Sequence, residues 1–214
     1  MRQSTASFFF ILFITGFGFA DHGKDPLYGT QYVEENPFWK KRTSLQKRIQ
    51  KERLIAVSAN SEPEKSEVIW SFRGAGIVNT PFEFLWNYAR DFQKLAKIED
   101  IFKRVSYSEE SQRLFLNLMI LGREKEMVIQ FQYDEQGSAK KMHWKNIEGL
   151  YKGMEGVIVF EPTGAEKTEV SLFSGLKSEP SALPSWLITF GVEALMQRVS
   201  TTLRTNAESA YNNK

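Results

Sequence analysis

The chain has 214 residues, 42% apolar and 25% charged, with 28 Lys and Arg against 26 Asp and Glu, a net charge of +2 and no cysteine. That apolar share excludes a disordered tail, and the balanced charge excludes a bulk nucleic-acid binder. Without cysteine there is no disulfide framework, Cys-ligated zinc, iron–sulfur cluster or thiol catalyst, and the length suits one domain with an appended segment.

Residues 1–20 read as a secretory signal peptide. Arg2 precedes an apolar run, Phe8 to Phe19, broken by Thr15, Gly16 and Gly18, and the small Gly18 and Ala20 stand at minus three and minus one of a cut before Asp21. The run is shorter than the ~20 apolar residues of a membrane span, although an uncleaved N-terminal anchor is a competing reading. A lipoprotein would need Cys after the cut. The expectation is an exported protein, periplasmic or secreted, suited to a Gram-negative envelope.

Residues 21–37 read as an extended lead-in rich in Gly, Pro and polar groups. Residues 38–58 read as a helix with one narrow apolar stripe, Phe38, Leu45, Ile49 and Ala56. Lys40, Lys41, Arg42, Lys47, Arg48, Lys51 and Arg53 face only Glu52 there, a local +6. Such a face is either simply solvated or leans on anionic lipid headgroups. Ser58 to Ser66 reads as a polar linker, so the expected organisation is a signal peptide (1–20), an N-terminal extension with the basic helix (21–65) and a domain (66–214).

Within that domain the period changes to two at Val68, Trp70 and Phe72, a strand. Asn79-Thr80-Pro81 reads as a helix start with a capping side chain and Pro in the first turn, followed by a helix through Phe82, Leu85, Trp86 and Ala89 and a second short one near Phe92 to Ile101. Five further strands follow at 102–108, 113–121, 127–134, 140–147 and 151–161, and a sixth at 168–176. Their short connections imply antiparallel hairpins. Ser185 to about Tyr211 reads as one long helix.

This order is similar to the helix-grip fold of the START-related lipid-transfer superfamily, which includes the birch pollen allergen and polyketide cyclase-like proteins. The resemblance rests on Asn79-Thr80-Pro81-Phe82-Glu83-Phe84-Leu85-Trp86, on Trp144-Lys145-Asn146-Ile147-Glu148-Gly149 leading to Gly153-Met154-Glu155-Gly156, and on Phe160-Glu161-Pro162-Thr163-Gly164. Leu183-Pro184-Ser185-Trp186-Leu187 opens the last helix, Leu203-Arg204-Thr205-Asn206-Ala207-Glu208 ends it, and Gly122-Arg123-Glu124 resembles an Arg–acid pair of the START branch. It implies an α+β fold, a curved antiparallel sheet of about seven strands wrapped around a long C-terminal helix. It also implies an internal cavity for an apolar ligand, a lipid or isoprenoid-like molecule.

Inward candidates to line that cavity are Trp70, Met119, Met127, Ile129, Phe131, Met142, Trp144, Met154, Phe173 and Phe190; the same residues also suit a plain core. Arg123, Tyr133, Asn146 and Arg198 are candidates to orient a ligand's polar group. No catalytic constellation appears. Of the two histidines, His22 lies beside the expected cut and His143 points away from the face of Met142 and Trp144. No His-Glu-x-x-His, Gly-x-Ser-x-Gly or phosphate-loop motif occurs. The reading is an exported, monomeric carrier of an apolar ligand with no cofactor, no metal and no nucleic-acid partner, touching a membrane surface through Lys40, Lys41, Arg42, Lys47 and Arg48. A cyclase or aromatase using the same cavity, or an envelope partner-binding module, is the alternative.

Overall fold

The computed structural model describes residues 37–97, 102–120, 122–181 and 183–213. The signal peptide, most of the lead-in and residues 98–101 lie outside the described residues. Helix α1 (Thr43–Glu52) is followed by β1 (Ala56–Glu64) and β2 (Glu67–Val78), then by α2 (Phe82–Arg90) and a 3-10 turn (Phe92–Lys97). Six strands come next: β3 (Phe102–Ser108), β4 (Arg113–Ile120), β5 (Arg123–Asp134), β6 (Lys140–Gly149), β7 (Glu155–Gly164) and β8 (Lys167–Ser178). Helix α3 (Ser185–Asn212) closes the chain.

All eight strands form one sheet in the order β1-β2-β8-β7-β6-β5-β4-β3, every pair antiparallel. The single non-sequential pairing, β2 with β8, brings the two ends of the strand series together. The α+β helix-grip architecture expected from the sequence is therefore present, with one strand more than expected.

That extra strand comes from the segment read as helix and linker. The helix stops at Glu52 because Arg53 turns left-handed (φ 58) and the Leu54 N–H returns to the Arg48 carbonyl at 3.3 Å, a C-terminal closure that left-handed residues commonly make. Ala56 to Glu64 then pairs with β2 along its whole length. As an edge strand, β1 buries few side chains and tolerates Pro63, so it lacks the alternation that marks a strand and has one β-branched residue, Val57. The residue 65/66 boundary falls at the β1–β2 hairpin turn, where Lys65 has φ 55.

The helix start at Asn79-Thr80-Pro81 is also differently built. Pro81 itself occupies the cap position of α2, with no side-chain cap. The Asn79 N–H instead donates to Glu208 Oε1 at 2.8 Å, tying the end of β2 to α3.

Both faces of the sheet carry packed elements. On the convex face, Trp39 and α1 pack on Ala75, Ile77, Val157, Val159 and Phe173. Trp39 stacks on Phe173 (centroids 5.5 Å, planes 24° apart), and its Nε1 donates to the buried Glu169 carboxylate at 3.2 Å. Docking by Ile49 and Trp39 turns the basic residues of α1 outward: Lys41, Arg42, Lys47, Arg48, Lys51 and Arg53 are exposed. Of the basic residues here, Lys40 is engaged by Glu161 at 2.8 Å, Arg48 by Glu52 at 3.1 Å and Arg53 by Glu208. On the concave face, the 3-10 turn packs on β3 and α2 on β7 and β8, while α3, about 42 Å long at 1.5 Å per residue, packs chiefly on β1 and β2.

Candidate functional site

Strand register builds the concave face in rows. One row runs Phe131–Trp144–Gly156–Ser174–Phe72–Ala59 across β5, β6, β7, β8, β2 and β1; the next runs Tyr133–Met142–Ile158–Leu172–Gly74–Val57. Because side chains alternate across a strand, these rows share one side. Gly156 makes the crossing at Trp144 possible. A Cβ there would lie 2.7 Å from Trp144 Cε2 and 2.7 Å from Ser174 Cβ, so the indole leans over β7 only because that position is glycine.

The apolar groups on this face form two clusters. One gathers Val78, Leu85, Trp86, Phe92, Leu114, Leu116, Leu118, Phe131, Met142, Phe160 and Ala207 under α2. The other gathers Ala59, Trp70, Phe72, Leu176, Ile188 and Val192 under the first half of α3. Between them, apolar side chains on central strands keep solvent access: Trp144, Ile158, Val170 and Leu172 are only half-buried. The helical spacing from Ile188 and Val192 through to Ala207 puts Leu195, Val199 and Leu203 on the same stripe of α3. They too are half-buried and belong to neither cluster.

Several polar groups on this face are neutral, while Lys140 and Arg90 bring charge to the rings of Trp86 and its neighbours and Glu193 accepts from the Ala59 N–H at 2.8 Å. Tyr133 and Tyr107 share a hydroxyl–hydroxyl hydrogen bond of 2.9 Å, and Tyr107 donates to Gln112 Oε1 at 2.7 Å, so Tyr133 donates to Tyr107 and both phenol protons are used within the protein. Burial, reinforced by the bond to Tyr107, pushes the Tyr133 phenol far above its ordinary value of 10.0. Trp70 Nε1 donates to Ser178 Oγ at 3.0 Å, and Thr168 donates to the Thr80 carbonyl at 3.0 Å. Asn146, 1% exposed, donates from Nδ2 to the Leu150 carbonyl and so pins the β6–β7 loop. Its Oδ1 and the Oγ of Ser174, 3% exposed, have no partner. Among the described residues no group of three His, Asp or Glu could hold a metal ion.

The residues expected to line a cavity divide accordingly. Trp70, Phe131 and Met142 are buried on the concave face, and Met127, Ile129, Trp144 and Met154 are half-buried against its clusters. Met119 is misplaced: β4 turns Leu114, Leu116 and Leu118 inward, leaving Met119 on the opposite side with Phe115 and Asn117. Phe173 is buried, but on the convex face against Trp39. Phe190 is 51% exposed on α3. Arg123, at the head of β5, and Arg198 are exposed rather than buried with the concave-face clusters. His143 pairs with Val157 on the convex side. Ser174 and Leu172 escaped the sequence reading, although a lone serine at period two between Leu172 and Leu176 was the available signal.

No protein-family model matches the sequence, and no curated protein matches it. Solved structures do match. A START superfamily protein from Mycobacterium smegmatis superposes with a TM-score of 0.55 at 12% identity, covering 65% of this chain and 98% of that one. The chain has a START-like fold. A STAR-related lipid transfer protein from Xanthomonas axonopodis superposes at 0.51 with 13% identity (70% of this chain, 98% of that chain). The Zhui aromatase/cyclase from a Streptomyces species gives 0.51 at 16% identity (65% and 94%). About a third of this chain has no counterpart in each START-like match.

Proposed function

We propose that this START-like protein holds an apolar molecule, a lipid or isoprenoid-like compound, between the concave face of its sheet and α3, and carries it outside the cytoplasm without covalent chemistry. One observation carries the reading. Apolar side chains in the middle of an eight-stranded sheet, Trp144, Ile158, Val170 and Leu172, are only partly buried, as are Leu195, Val199 and Leu203 on one stripe of α3. In a plain core those positions would be the best covered. Burying a hydrocarbon chain there gains ~0.8 kcal/mol per CH₂, enough to hold a molecule that water rejects.

Filling that space tests the proposal. Leu172→Trp or Val199→Trp puts an indole where the ligand would lie. Binding of an apolar dye such as Nile red should fall at least tenfold while thermal stability is kept. Unchanged dye affinity in both variants would place binding elsewhere and refute the reading.

The outward basic face of α1 supports a second part of the proposal, contact with an anionic lipid surface during loading or delivery. Juxtamembrane cations contribute about 1 kcal/mol each near such a surface. Sedimentation with vesicles rich in anionic lipid should fall with salt and with replacement of Lys41, Arg42, Lys47 and Lys51 by Gln. Equal sedimentation by the neutralised variant would remove this part.

A further inference from the structure

The first two turns of α3 are apolar on both sides. Ile188 and Val192 are buried in a concave-face cluster, with Leu183 packed against it. On the outer side stand Trp186, 69% exposed, and Phe190, 51% exposed, four residues apart and so on one face. Among the described residues only one other large hydrophobic side chain is exposed, Phe115 on β4. The sequence from Pro180 to Val192 contains no charged residue. A helix that is apolar all round is ordinarily covered, by protein or by lipid.

Size and charge decide between the occupants. Together the two aromatic side chains expose about 300 Å², well short of the ~800 Å² that each partner buries in a stable protein–protein contact. That is too little for a second copy of the chain or another folded protein. A lipid surface needs no matched partner, and Trp rings favour the zone between headgroups and acyl chains. Among the described residues no helix is long and apolar enough to cross a membrane, so the contact is interfacial.

The kind of lipid follows from the neighbouring hairpin. Glu193 of α3 meets Ala59 of β1 and Glu208 meets Arg53, so α3 runs antiparallel to β1 and its first turns lie toward the β1–β2 hairpin. That hairpin sets Glu62, Glu64 and Glu67 against Lys65. The adjacent Lys177 is engaged by Glu64 at 3.1 Å and by Glu67 at 2.7 Å. Such an acidic neighbourhood is repelled by an anionic surface and tolerated by a zwitterionic one.

Resting on the carrier reading, we infer that the protein seats the first two turns of α3 on a zwitterionic lipid surface by inserting Trp186 and Phe190, a contact separate from the basic face of α1. Seated so, only the thickness of one helix divides the acyl chains from the buried side of Ile188 and Val192.

Trp186 reports its own insertion, because Trp39, Trp70 and Trp86 are each 1% exposed and Trp144 is half-buried. Phosphatidylcholine vesicles with brominated acyl chains should quench the wild-type emission. Trp186→Phe should lose that quenching yet still float with unlabelled phosphatidylcholine vesicles. Flotation should not fall with added salt. It should fall at least tenfold in the double variant Trp186→Ser, Phe190→Ser, with Tm and Nile red affinity, measured without vesicles, unchanged. Flotation that requires anionic lipid, equal flotation by the double variant, or a dimer in sedimentation that the double variant abolishes overturns the seat. In each of those outcomes Nile red uptake by the wild-type protein leaves the carrier reading in place. Failure of the wild-type protein to take up the dye overturns the carrier reading itself.

Discussion

Removing Trp39 asks whether the N-terminal segment is part of the domain or an attachment to it. Its indole is 1% exposed, stacks on Phe173, meets Phe38 edge-on at 5.1 Å and donates to Glu169. Truncating a buried Trp to Ala costs about 3–5 kcal/mol. A hydrogen bond to a charged group contributes about 1.5–3 kcal/mol, and without the indole Glu169 keeps, among the described residues, Lys40 at 3.9 Å and the Ser171 hydroxyl at 3.5 Å. Trp39→Phe should therefore cost about 2 kcal/mol and Trp39→Ala about 5 kcal/mol, against the 5–15 kcal/mol total of an ordinary domain. Lys40→Ala, which removes a solvent-exposed ion pair from the same segment, should cost under about 1 kcal/mol. Urea unfolding followed by circular dichroism measures all three. A loss below about 1 kcal/mol for Trp39→Ala would mean that residues 37–52 are not held on the convex face, and the fixed outward orientation of the basic residues would go with it.

Gly149 has φ 80, and a Cβ there would lie 2.0 Å from the Glu126 carbonyl oxygen, whereas Gly137 has φ 88 with nothing within 4 Å. Gly137→Ala should thus cost about 1 kcal/mol and Gly149→Ala about 3 kcal/mol or more; equal losses in thermal melts would contradict the packing at the β5–β6 bulge. Burial raises the phenols of Tyr133 and Tyr151 above 10.0. Above about pH 10 the unfolded chain releases these protons while the folded one keeps them, so stability must fall as pH rises. Urea midpoints between pH 9 and 11 should decline less steeply in Tyr133→Phe than in wild type, and an identical slope would refute the role given to burial.

Much of this architecture was legible because burial falls on one side of most strands. On β4, Leu114, Leu116 and Leu118 alternate with exposed positions, and on β6 Met142 and Asn146 alternate with His143 and Lys145, so period and element agree. The losses share one cause, the covered convex face. Where α1 and Trp39 shield β8 and β7, both Phe173 and Leu172 are apolar, and alternation cannot say which points toward α3. The strand β1 was invisible for the opposite reason: at the sheet edge Asn60, Glu62 and Glu64 face water, and only Ala56 and Ala59 are buried there, too small to leave a pattern. Met119 has the character of a ligand-lining residue, but leucines on the same strand already supply the inward face.

The space between the concave face and α3 is proposed to hold an apolar molecule. Native mass spectrometry of the protein purified from its own host tests it most directly, compared with the same sample denatured. A discrete added mass, released on unfolding and belonging to a molecule of high hydrocarbon content, is expected. A mass equal to that of the polypeptide alone, together with no uptake of apolar dye or lipid by the purified protein, would contradict it.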